Sequence, residues 1–168
     1  PENKELAIKY FKMAIENGSS RGMRLYAQNL YNDDSIPNNK MEAIKLFKMS
    51  ADKNNDLSML KYAEMLLIGE GAPVNIDEAV KYLKLAIDNG NCNAMTKYGL
   101  MLKNGDGVPK NVNDAVKYLK LAIDKGDSKA MYLYGMMLHY GDGIDENKEE
   151  AAKYYLMSIE KGETLAKE

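Results

Sequence analysis

DEAVKYLKLAIDNGNCNAMTKYGLMLKNGDGVPKNV, residues 77–112, runs directly into NDAVKYLKLAIDKGDSKAMYLYGMMLHYGDGIDENK, residues 113–148. The second stretch restates the first at an offset of 36 residues. The register holds outward in both directions, through Ala7, Ala43, Ala79, Ala115 and Ala151, through Met23, Met59, Met95 and Met131, and through Tyr26, Tyr62, Tyr98 and Tyr134. Leu30, Leu66, Leu102 and Leu138 follow the same schedule, and no insertion or deletion breaks it. A fixed period of this length marks a repeat architecture, in which each unit is too small to bury its own apolar face and stacks on its neighbours.

Each unit divides into two helical stretches, here called A and B. In the B stretch the apolar positions Ala79, Val80, Tyr82, Leu83, Leu85, Ala86 and Ile87 recur at i, i+3, i+4 and i+7, which predicts one broad buried face on a helix. Asn75 or Asp77 can cap its start, and Gly90 can end it in the left-handed conformation, as can Gly18, Gly126 and Gly162; the second copy has Asn54 there. The A stretch, residues 93–104 in the third copy, carries Met95, Tyr98, Gly99 and Leu102 as its buried stripe. Gly99 and Gly135 answer to Ala27 and Ala63, so a neighbouring helix should come closest at this position. Asn104-Gly105-Asp106-Gly107-Val108-Pro109 reads as the turn back to helix B. The expected fold is all-α, an α-solenoid of antiparallel helix pairs. Its expected parts are a helix B at 3–17, units at about 19–54, 55–90, 91–126 and 127–162, and a truncated helix at 163–168, forming a single domain over 1–168. Both ends should expose apolar surface, so the chain reads as a piece of a longer one, able to self-associate through those ends.

Composition narrows the function. With a net charge of −2 and only Arg21 and Arg24 as arginines, the chain lacks the basic face expected of a nucleic-acid binder. No run of 18 apolar residues is present, so membrane insertion is not expected. One cysteine, Cys92, precludes an internal disulfide framework and fits a reducing, cytoplasmic compartment.

The unit Ala94-Met95, Tyr98-Gly99, Leu102 and Gly105-Asp106-Gly107-Val108-Pro109, followed by Asp114-Ala115, Tyr118, Ala122 and Gly126, resembles the Sel-1-like repeat, a relative of the tetratricopeptide repeat. The resemblance spans essentially the whole chain. It departs from the family pattern at Asn32-Asp33-Asp34-Ser35-Ile36-Pro37, which lacks both turn glycines, and at Asp145, where proline is missing. It also departs in carrying Tyr98 where leucine is usual and Leu102 where tyrosine is usual. The resemblance implies a right-handed superhelix whose inner surface, lined by A helices, holds a protein or peptide partner as an adaptor or scaffold. A structural spacer that positions an attached domain is the alternative.

Positions that are constant from copy to copy report packing, so a binding surface belongs where the A helices differ. Placing Met23, Tyr26, Ala27 and Leu30 inward turns Arg24, Gln28 and Tyr31 outward, and in the next copies Leu60, Glu64 and Leu67, then Thr96, Leu100 and Lys103, then Tyr132, Met136 and His139. The apolar members either line a concave groove or pack on the adjacent repeat. On helix B, lysines recur at 9, 45, 81, 117 and 153 and at 12, 48, 84 and 120. Acids at 16, 52, 88, 124 and 160 lie on the same face, the first four of them four residues after a lysine of the second row, which predicts i, i+4 pairs on a solvated face.

Chemistry is scarce. Gly105-Asp106-Gly107 is followed by no Gly-Lys-Ser/Thr, and the turns lack the calcium-loop spacing. His139 and Cys92 are the sole residues of their types and lie 47 residues apart, too few for a metal site and too distant in sequence to suggest a nucleophile pair. The adjacent acids Asp33-Asp34 and Glu149-Glu150 suggest no acid/base pair. The expectation is a non-enzyme without cofactor or metal.

Overall fold

The computed structural model describes residues 2–33 and 38–162. The stretch 163–168 and the turn residues Asp34–Pro37 lie outside the described residues. Among the described residues the order is α1 (Glu2–Glu16), α2 (Ser20–Tyr31), α3 (Asn39–Asp52), α4 (Asp56–Ile68), α5 (Ile76–Asp88), α6 (Cys92–Asn104), α7 (Val112–Asp124), α8 (Ser128–Tyr140) and α9 (Lys148–Glu160). Odd numbers are B helices and even numbers A helices. The chain forms two compact units, Pro1–Gly90 and Asn91–Glu168. In the first, α1 to α5 each pack on the next helix in sequence; in the second, α6 to α9 do the same.

Helix ends follow from local chemistry. Ser19, Asn55, Asn91 and Asp127 cap the A helices, each side-chain oxygen accepting from a backbone N–H in the first turn. Of the two candidates at the start of α5, Asn75 is the cap: its side chain accepts from the Glu78 N–H at 3.1 Å. Asn111 and Asn147 repeat the arrangement. The A helices α4, α6 and α8 end in left-handed Gly69, Gly105 and Gly141, and the N–H groups of Asn75, Asn111 and Asn147 then close each turn on the carbonyls of Leu66, Leu102 and Leu138, whereas α2 ends at the right-handed Asn32. The turn without proline keeps this geometry, because its two glycines and the closing asparagine remain.

Small residues bring the helices of a pair together. Ala43, Ala79, Ala115 and Ala151 are fully buried, as are Ala27 and Ala63 opposite them in the first unit. A Cβ on Gly99 would sit 3.2 Å from the Ala115 carbonyl oxygen, and one on Gly135 would sit 3.0 Å from the Tyr155 ring. Three of the four constant A-helix tyrosines meet a tyrosine of the following B helix edge-on: Tyr62 with Tyr82 at 4.8 Å, Tyr98 with Tyr118 at 5.1 Å and Tyr134 with Tyr154 at 4.8 Å between ring centroids, whereas Tyr26 stacks on Phe11 of α1 at 5.6 Å.

Where the third and fourth copies carry alanine, two buried serines join α3 to its neighbours, and Ser158 of α9 repeats one of these bonds by donating to the Ser128 carbonyl at 2.8 Å. Ser50 donates to the Ser20 carbonyl at 2.7 Å, and Ser58 donates to the Ser50 hydroxyl at 2.7 Å. Equivalent positions hold Ala86 and Ala94, then Ala122 and Ala130.

Candidate functional site

The A helices turn one side toward their B partners and leave the other open. In the first unit that open side carries Arg24, Gln28, Tyr31, Leu60, Glu64 and Leu67, all partly exposed. Beside them Leu25 and Leu57 are exposed, and Ile68 is 63% exposed. Tyr31 and Glu64 belong to a polar cluster. The Tyr31 phenol donates to Glu70 at 2.5 Å, Lys40 donates to the same carboxylate at 2.7 Å, and the Lys61 ammonium stands 4.1 Å from the Tyr31 ring centroid. Glu64 lies 3.8 Å from Lys61. The Lys40 and Tyr31 hydrogen bonds hold the Glu70 carboxyl below its usual range. The Glu70 bond, then burial, pushes the Tyr31 phenol up. Gln28 donates to Asn32 at 3.0 Å.

In the second unit Leu100, Lys103 and Met136 come together. With Leu133, Tyr140, Asp142 and the floor residues Leu119 and Met137, they line a cleft of about 50 Å³ between α6 and α8. Lys103 binds Asp142 at 2.6 Å and, through that hydrogen bond, holds its carboxyl below the usual range. This tie from an A-helix end to the next turn repeats the one Tyr31 makes to Glu70, with an ammonium in place of a phenol. Tyr132 and His139 stand apart from the cleft, against Tyr155 at centroid distances of 5.8 and 6.2 Å; His139 also meets Tyr140 at 4.6 Å.

Thr96 is a correction. It was expected to face outward, but it is 3% exposed and its hydroxyl donates to Asp127 at 2.9 Å. Asp127 is the cap of α8, so the contact fixes one A helix to the start of the next rather than offering a surface. The sequence hint was the Thr96–Asp127 pairing itself, a hydroxyl and an acid about one repeat apart.

The second lysine row also departs from expectation. Lys48 does not settle on Asp52, four residues away. It donates to Glu78 and to the Tyr82 phenol, both at 3.0 Å, and lies 5.2 and 5.0 Å from the Tyr62 and Tyr82 ring centroids. Asp52 instead accepts from Tyr82, and Glu78 accepts from Tyr62 at 2.9 Å. The Tyr82 hydrogen bond holds the Lys48 proton beyond its ordinary range. Lys120 stands over the Tyr134 ring at 5.2 Å in the second unit. These lysines lock a B helix to the following helix pair. The signal was present as lysine, tyrosine and tyrosine at 48, 62 and 82 and again at 120, 134 and 154.

Among the described residues no helix is long and apolar enough to cross a membrane, and no three His, Cys, Asp or Glu residues gather as metal ligands. Chemically, the open sides offer aliphatic and thioether surface edged by amines.

The Sel1 repeat family model matches residues 1–19, 20–55, 56–91, 92–127 and 128–163. Among solved structures, a Sel1 repeat protein from Oxalobacter formigenes is 26% identical with a TM-score of 0.81, over 88% of this chain and 60% of that one. The protein c5321, described as a protective antigen of uropathogenic Escherichia coli with an SLR fold, is 21% identical with a TM-score of 0.84, over 94% of this chain and 34% of that one. Helicobacter pylori cysteine rich protein B is 20% identical with a TM-score of 0.59, over 80% and 97%. No curated protein sequence matches. The chain therefore spans 60% and 34% of the length of the first two structures, and the likeness to the last two is one of fold. With the family model matching all five copies, this chain belongs to the Sel1 repeat family and is an all-α helical-repeat solenoid.

Proposed function

We propose that this chain is a non-catalytic scaffold that binds a protein or peptide on the open sides of its A helices. One observation carries the reading: those sides keep large apolar groups in water, Ile68, Leu25 and Leu57 in the first unit and Tyr140 in the second, beside the cleft lined by Leu100 and Met136. Apolar surface that packing leaves open is the usual mark of an interaction surface.

The test is a quantitative pull-down from source cells with three forms of the protein. Ile68→Asp and Tyr140→Asp should each lower the recovery of specific partners at least about fivefold, an expected cost of roughly 1 kcal/mol for a partly buried contact. Lys81→Glu and Lys117→Glu, on helix B, should leave it unchanged. Recovery lost only with the helix B variants would place function on the other face.

A further inference from the structure

Charge is unevenly distributed over this acidic chain. The four A helices hold six bases, Arg21, Arg24, Lys61, Lys97, Lys103 and Lys129, against two acids, Asp56 and Glu64, although the net charge is −2. The contrast is sharpest in the second unit, where α6 and α8 contain three lysines and no aspartate or glutamate. Lys103 is held by Asp142, whereas Lys97 and Lys129 make no ion pair among the described residues. Helical spacing sets Lys97 one turn before Leu100 and Lys129 one turn before Leu133, on the same helix faces as the leucines that line the cleft.

We propose that the cleft between α6 and α8 takes an extended acidic peptide, with one aliphatic side chain seated between Leu100, Leu133 and Met136 and carboxylates on either side meeting Lys97 and Lys129. This rests on the scaffold reading above and adds the chemistry of the partner. The cleft is small, about 50 Å³, and its aliphatic and thioether walls suit the branch of a valine or leucine. Complementary charge supplies orientation and association rate, and an apolar floor excludes water from the ion pairs at its rim. A nucleic acid fits less well, because the walls are aliphatic and thioether surface with one aromatic, Tyr140, rather than a row of stacking platforms.

The test is selection from a phage-displayed library of random twelve-residue peptides on the full chain, with Kd then measured for the enriched peptides. The expected peptides carry aspartate or glutamate around an aliphatic residue. Lys97→Gln and Lys129→Gln should each weaken them roughly threefold to fivefold, as for an exposed charge pair. Tyr140→Ser, at a position 70% exposed and so neutral for folding, should also weaken them. Binding should fall as salt is raised. Basic or uncharged peptides that are lost with Tyr140→Ser would overturn the acidic partner and leave the scaffold reading standing. Absence of enrichment, or binding indifferent to all three variants, would sink both. A polyuridine oligonucleotide that outcompetes the selected peptides would replace the partner with a nucleic acid.

Discussion

Asn54 takes a backbone φ of 65°, where Gly18, Gly90 and Gly126 stand at the ends of other B helices. A side chain in that region pays about 1 kcal/mol that glycine does not. Asn54→Gly should therefore raise stability by about 0.5–1 kcal/mol, read from the urea midpoint, even though it removes the exposed bond accepted from Asn89 at 2.9 Å. The positive φ could be anticipated from the sequence, because the register set asparagine against glycine. The inward turn of Thr96 could not be anticipated that way. Its neighbours in the alignment, Arg24, Leu60 and Tyr132, are all partly exposed, and burial was decided by an acid 31 residues away. The buried serines give a second test at this scale. Ser50→Ala should cost about 1 kcal/mol by leaving the Ser58 hydroxyl without its acceptor, whereas Ser50→Ala with Ser58→Ala should cost less than the two single changes together. Strict additivity in that cycle would mean that the hydroxyls do not act as a pair.

Pairs of helices were legible because their period and caps are local. The links between successive pairs were only partly so, since each joins residues about 30 apart. Lys48 illustrates the difference: proximity in sequence favoured Asp52, but the Tyr82 phenol claims that carboxylate and leaves the lysine to Glu78 and the rings. This cluster makes stability depend on pH. Burial, then the bond to Glu78, pushes the Tyr62 phenol from 10.0 up to about 12. The folded chain thus keeps a proton that the unfolded chain releases, and the contribution is whole below pH 10 and lost as pH rises toward 12. At the acid end the Lys48 hydrogen bond holds Glu78 below its usual 4.5, so that share is present above this value and fades as pH falls below it. Urea midpoints should decline on both sides of a neutral plateau. Tyr62→Phe should flatten the alkaline decline, and an unaltered slope would remove Tyr62 from the account.

Over the whole molecule, the repeat explains folding better than recognition. The alanines, tyrosines and glycines that recur on schedule are buried or sit in turns, while the open sides of the A helices differ from copy to copy. The candidate surface was therefore legible as a set of positions, but the sequence did not reveal which members meet, because the cleft needs Asp142 from a turn and Leu133 from a neighbouring helix. Stability in such a chain is close to a sum of unit and neighbour terms. Gly71→Ala, which would push a Cβ to within 2.2 Å of the Lys40 carbonyl at a φ of 76°, should cost at least about 2 kcal/mol. Hydrogen exchange should report the loss first in α3 and α4 and leave α8 and α9 protected; uniform loss would mean the chain unfolds as one block. The lysine–tyrosine lock has a further consequence for how such a gene can grow. Residues 77–112 and 113–148 each bring the lysine, Lys84 or Lys120, and the tyrosines, Tyr82 and Tyr98 or Tyr118 and Tyr134, so an in-frame duplication of either set of 36 codons supplies both halves at the new junction without a compensating substitution, whereas Leu46 and Leu156 interrupt the pattern in the outer copies.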